Sequence, residues 1–163
     1  MGPKAYAEIA TGEMNKNAVY EALVKVIQER GAEMQLAWNE LMESNKQEGK
    51  SSAGDKHETA AAQVHLELEK MGKQMQEHQR KCEELERFNP AKLESSKIVR
   101  SGSLVETSVG WFYIIISLGK LMTELGDCFV VSASSPVGAA LLGKQSGDGF
   151  HWNGREGRIV DVL

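Results

Sequence analysis

Apolar positions in the first half of the chain recur with a helical period, and those in the second half alternate as in strands. Tyr20, Ile27, Met34 and Leu41 fall seven residues apart, with Leu23, Ala37 and Trp38 at intermediate positions. Val64, Leu68, Met71, Met75, His78, Cys82 and Leu85 follow at spacings of 4, 3, 4, 3, 4 and 3. That alternation keeps a heptad seam on one side of a helix. Neither helix buries such a stripe alone and the connection between them is short, so the pattern predicts an antiparallel two-helix hairpin. His78 and Cys82 are polar or small for a seam and predict loose pairing at their level. Gly31 is a second weak point, since glycine inside a helix costs about 1 kcal/mol relative to alanine.

The segment Ser44–Gly54, rich in Ser, Gly, Asn and Lys, reads as the linker between the helices. Ser52 is the expected N-cap of the second helix, with Asp55 three residues on in a capping-box pattern. That helix should end near Arg87, where Asn89-Pro90 breaks it. From about Asp55 to Arg87 it would project roughly 50 Å at 1.5 Å per residue. Beyond Ile98 the strand candidates are Leu104–Thr107, Trp111–Leu118, Cys128–Ser132, Phe150–Trp152 and Arg158–Val162. Between them Pro136–Leu142 reads as one short helix, with Pro136 in its first turn and Gly143 as its stop. The expectation is an α+β chain: an antiparallel coiled-coil hairpin over residues 14–90, then a small antiparallel β-sheet domain with one short helix over residues 97–163.

Charge narrows the function classes. A chain of 163 residues with net charge −4 lacks the basic excess with which general nucleic-acid binders neutralise phosphates. If it works near nucleic acid, another molecule holds it there. Cys82 and Cys128 fall in different predicted domains without zinc-ligand spacing, so they read as reduced, inert thiols of a cytoplasmic protein. Residues 1–13 carry no apolar signal-peptide core, and the apolar run Trp111–Ile116 is too short to span a bilayer.

Candidate chemistry concentrates at the predicted hairpin tip, Gly54-Asp55-Lys56-His57-Glu58. Asp55 and Glu58 are three apart, so both carboxylates share one face of the first helical turn. Acids at a helix start are ordinarily explained by capping and the helix dipole. At the end of a long rod, however, two carboxylates can be delivered into a recess, where they suit Mg²⁺ that keeps water and phosphate in its shell. Gly138–Lys144 superficially fits a phosphate-binding GxxxxGK loop. It lacks the following Ser or Thr and has an apolar, helix-forming middle, so it is set aside as a nucleotide site. His57, His65, His78 and His151 lack metal-ligand spacing, and no nucleophile–base set is legible.

Ser134-Ser135-Pro136-Val137-Gly138-Ala139-Ala140-Leu141-Leu142-Gly143-Lys144, followed by Gly147-Asp148, resembles the most recognisable segment of the Gre transcript-cleavage factors (the GreA/GreB-type transcription elongation family). The tip is similar to that family's Gly-Asp-x-x-Glu element, and the order of hairpin then β-rich domain also matches. The likeness spans residues 15–163. It implies an FKBP-like C-terminal domain that docks on bacterial RNA polymerase at the rim of the secondary channel, with Ser135 and Pro136 in the docking loop. It further implies a coiled coil that enters the channel, where Asp55 and Glu58 help hold Mg²⁺ in the polymerase active site. Backtracked RNA would then be cut by the polymerase's own two-metal centre, with only indirect contact between this chain and nascent RNA. The chain would be neither an enzyme itself nor the owner of a cofactor. The family carries Leu where Lys56 stands and Asn where Thr59 stands, and Lys50 and Lys56 flank the acids. An inhibitory, channel-occupying relative is therefore the alternative, and a peptidyl-prolyl isomerase built on the FKBP-like domain is a more remote one.

Overall fold

The computed structural model describes residues 14–49 and 54–163, with side chains except those of residues 48, 49 and 54–57. The architecture is α+β: two long helices, a six-stranded sheet and one short helix. Two compact units divide it, one of residues 25–82 and one joining residues 14–24 to 83–163.

Helix α1 (Lys16–Gly49) is started by Asn15, whose side chain accepts hydrogen bonds from the amides of Asn17 (2.8 Å) and Ala18 (3.3 Å). This satisfies amides that have no partner within the helix. The helix continues to Gly49, so residues 44–49 are helical and not part of the linker. Lys46, Gln47 and Glu48 are good helix formers and carry the helix past Ser44 and Asn45. Helix α2 (Gly54–Arg87) starts and stops where the pattern predicts; the expected N-cap, Ser52, lies outside the described residues. Past α2, Asn89 caps a 3-10 turn (Pro90–Lys92) by accepting from the Ala91 amide at 3.0 Å.

In the unit of residues 25–82 the helices run antiparallel. His78 stands opposite Gly31, while Met71, Gln74 and Met75 share a groove with Met34 and Ala37. Val64, Leu68, Met71, Met75, His78 and Cys82 are all partly shielded, whereas most other positions of α2 are open to solvent. The ion pairs Glu69–Lys73 and Glu77–Arg80 lie on that solvated face and add little stability.

In the other unit the sheet order is β3-β4-β2-β1-β6-β5, with β1 (Leu104–Thr107), β2 (Gly110–Ile114), β3 (Gly119–Thr123), β4 (Gly126–Val131), β5 (Gly149–Trp152) and β6 (Arg155–Val162). The pairing is antiparallel except between β2 and β4, which are parallel, with Phe112 beside Phe129. The candidate strand Trp111–Leu118 ends at Ile114, and Gly119–Thr123 forms a strand of its own at the sheet edge.

One device closes two of the hairpins. Thr107 Oγ1 donates to the Gly110 carbonyl (2.7 Å) and accepts from the Val109 amide (3.2 Å). Thr123, Leu125 and Gly126 repeat the arrangement at 2.6 and 3.2 Å. The β5–β6 turn is Asn153-Gly154 with φ of 53° and 74°, the left-handed pair that a two-residue hairpin turn demands.

Helix α3 (Pro136–Leu141) covers one face of the sheet through Val137 and Leu141, over Val105, Phe112, Ile114, Phe150 and Ile159. Phe112 stacks on Phe129 at 5.6 Å between ring centroids and meets Trp152 edge-on at 5.1 Å, so the aromatic side chains of this face fill one another's space. The opposite face carries Leu104, Tyr113, Cys128 and Val130, all fully buried. Nearby, Tyr20 Oη of α1 donates to the Leu85 carbonyl at 2.8 Å, joining the two helices within this unit.

Candidate functional site

The hairpin tip is the first candidate. Asp55 and Glu58 fall in the first two turns of α2, three residues apart and therefore on one helical face. Glu58 is exposed. The side chains of Asp55, Lys56 and His57, and all of Lys50, lie outside the described residues. Among the described residues no group of three or more His, Cys, Asp or Glu is arranged to hold a metal ion.

The second candidate is the segment around α3. Ser135 is its N-cap: Oγ accepts from the Gly138 amide at 3.0 Å and donates to the Ser132 carbonyl at 2.7 Å. Both hydrogen-bonding roles of this hydroxyl are thus taken up inside the fold. Pro136 occupies the first helical turn, where its missing N–H leaves no donor unsatisfied. Gly138 is there for space, because a Cβ would lie 2.1 Å from the Ser132 carbonyl oxygen. Gly143, at φ 79°, ends the helix and donates its amide to Val99 at 2.9 Å. Lys144 Nζ reaches the Gly149 carbonyl at 2.6 Å, and an Asp148 carboxylate oxygen accepts from the Gln145 amide at 2.9 Å.

Most of the segment that looks like a motif is therefore a set of local fold requirements. What it presents outward is Ser134, Pro136, Ala139 and Leu142, all exposed. Of the two docking residues named from the sequence, Pro136 faces solvent and Ser135 is turned to its own backbone. Ala139 and Leu142 were not singled out in the sequence; their i, i+3 spacing on a helix capped at Ser135 is the signal that identifies them.

Both cysteines are free. Cys128 is fully buried, and burial pushes its thiol up to about 12. Tyr113, also fully buried, is raised by burial and by the neighbouring Tyr20 and Cys128, and its hydroxyl has no hydrogen-bond partner. Lys16, half-buried at the start of α1, donates to the Leu163 carbonyl at 3.2 Å; burial and then Arg100 hold its ammonium below the usual lysine range. Among the described residues no helix is long and apolar enough to cross a membrane.

No family profile and no curated protein matches the chain. Among solved structures, the crystal structure of GreA factor homolog 1 (Gfh1) of Thermus thermophilus is similar over 90% of this chain and 95% of that one, at 21% identity and a TM-score of 0.33. Agreement at that level does not by itself carry a function from one chain to the other.

Proposed function

We propose that the chain is a Gre-like transcription factor that binds RNA polymerase and stimulates cleavage of backtracked RNA by presenting Asp55 and Glu58 at its hairpin tip. One observation carries the reading. A single chain joins a hairpin of two 34-residue helices, with two acids three apart at the start of the second, to a sheet domain whose Ser134–Lys144 segment resembles the Gre docking segment.

Asp55 and Glu58 would be the residues that hold Mg²⁺ together with the polymerase, and the ion would supply an activated water for phosphodiester hydrolysis. This chain's own part is positional. The hairpin would deliver the two carboxylates, and α3 would offer Pro136, Ala139 and Leu142 as a contact face. The chain carries no catalytic centre in this reading, and the packed aromatic face of the sheet favours a docking role over proline isomerisation.

The test is RNA cleavage in a stalled, backtracked polymerase complex, comparing wild type with Asp55→Asn/Glu58→Gln. Stimulation by wild type that is lost in the double variant supports the reading. Binding with suppressed cleavage would assign the chain to the inhibitory alternative. Absence of polymerase binding would overturn both.

A further inference from the structure

Lys16 is the first residue of α1, and Asn15 before it caps the helix. A cation in that turn meets the positive end of the helix dipole, and no acidic residue stands in the turn to offset it. With Met14, Asn15, Ala18, Leu125 and Leu163, Lys16 lines an open pocket of about 710 Å³. Four of those five neighbours are apolar, so the wall replaces little of the water that an ammonium loses there. Nζ donates to the Leu163 carbonyl at 3.2 Å. Burial, and then the like charge of Arg100, hold the ammonium below the usual lysine range. Helix start, apolar wall and neighbouring cation all favour the neutral amine, which is the nucleophilic form of lysine. Lys25 and Lys70 offer a contrast within the same chain, both being exposed.

We propose that Lys16 is an acylation site, reacting directly with acyl phosphates that enter this pocket. The ammonium first gives one proton to solvent, and the amine nitrogen attacks the carbonyl carbon of the acyl phosphate. A C–N bond forms and the bond from that carbon to the phosphate oxygen breaks. The leaving phosphate takes one proton from nitrogen and departs as hydrogen phosphate; nothing is oxidised or reduced. Arg100 suits the phosphate end of the reagent, because a guanidinium holds phosphate through paired N–H donors. Met14, Ala18, Leu125 and Leu163 suit the acyl end. The amide product keeps one N–H for the Leu163 carbonyl, and it takes a cation away from the start of α1 and from Arg100.

The full-length chain is incubated with acetyl phosphate near neutral pH, folded and in guanidinium chloride, and acetylation of each lysine is followed by peptide mass spectrometry. In the folded chain Lys16 should acetylate at least about five-fold faster than Lys25 and Lys70, and in the unfolded chain the three should react alike. Arg100→Gln should slow Lys16 by about three-fold or more and leave Lys25 and Lys70 unchanged. A folded Lys16 rate at or below that of the two exposed lysines overturns the proposal. So does an advantage that survives unfolding, which would belong to the local sequence, or a Lys16 rate indifferent to Arg100→Gln. Where far-UV circular dichroism shows that the variant has lost its structure, the comparison of folded with unfolded wild type decides.

Discussion

Gly31 and His78 fit one another across the hairpin: a Cβ on Gly31 would lie 2.6 Å from His78 Nε2. Two residues that look like separate weaknesses, a glycine inside one helix and a polar side chain in the seam of the other, are complementary. Their coupling has a definite sign. Gly31→Ala removes a helix-interior glycine worth about 1 kcal/mol. In the wild-type background the new methyl must displace the ring and its contact with Cys82, which cancels that gain or reverses it. In a His78→Ala background nothing opposes it. Urea denaturation of the four-member cycle should show Gly31→Ala stabilising by about 1 kcal/mol only when His78 is gone. Equal effects in both backgrounds would mean that the ring does not rest on Gly31.

The loop before α3 makes a sterner demand. At Gly138 the obstacle to a Cβ is the Ser132 carbonyl oxygen at 2.1 Å, a backbone atom that cannot rotate away. Gly138→Ala should destabilise by about 3 kcal/mol, the upper part of the overpacking range. Ser135→Ala, which removes the cap and the hydroxyl's bond to the Ser132 carbonyl, should cost about 1–2 kcal/mol. Thermal or denaturant unfolding separates the two, and a Gly138→Ala variant as stable as wild type would contradict the close approach.

These two glycines also mark the limit of what can be read from the residues alone. The 4-3 alternation of Val64 to Cys82 is legible because every seam position except His78 is apolar or small and most flanking residues are polar or charged; the structure shields those positions. The Pro136 start and Gly143 stop of α3 are legible because each residue type has a single backbone role there. Strand β3 is not, since only Leu121 of Gly119–Thr123 is buried and an edge strand need not alternate. The parallel pairing of β2 with β4 was unreadable for another reason. Strand periodicity records which face is buried, and it is silent about the direction of the neighbour. The same holds for the candidate site. The Asp55–Glu58 spacing and the α3 segment are visible as sequence, but the inward turn of the Ser135 hydroxyl depends on the Ser132 carbonyl.

Alkaline pH should expose the buried thiol. Cys128 is raised from an ordinary value near 9 to about 12, first by burial. Above pH 9 the unfolded chain releases this proton while the folded chain retains it. The unfolded state then binds fewer protons, so stability falls as pH rises, by up to about 1.4 kcal/mol per unit across the window from 9 to 12. Tyr113, raised for the same cause, adds to the fall above its ordinary value of 10. Lys16 acts oppositely, because its lowered value lets the folded state lose a proton first. Comparing wild type with Cys128→Ala cancels the Lys16 contribution and most of that of Tyr113, whose chief cause is burial. The variant begins less stable because of the cavity it leaves, but its stability should decline less steeply between pH 9 and 10.5. Parallel declines would show that the thiol ionises in place.

The exposed and enclosed sides of the α3 segment make different predictions about polymerase. Ala139 and Leu142 face solvent three residues apart, whereas Ser135 spends both hydrogen-bonding roles on Ser132 and Gly138. Ala139→Glu/Leu142→Glu places two charges at exposed positions of this segment, Leu142 being 37% exposed. It should alter stability by no more than about 0.5 kcal/mol per site, as surface substitutions usually do. If this face docks, however, it should weaken polymerase binding about ten-fold or more, equivalent to roughly 1.4 kcal/mol. Ser135→Ala should do the reverse, lowering the unfolding midpoint while leaving the affinity of the folded protein unchanged. Both are measured on the same preparations, by denaturation and by titration against polymerase. Wild-type binding in the double glutamate variant would remove the Ala139–Leu142 face of α3 from the interface.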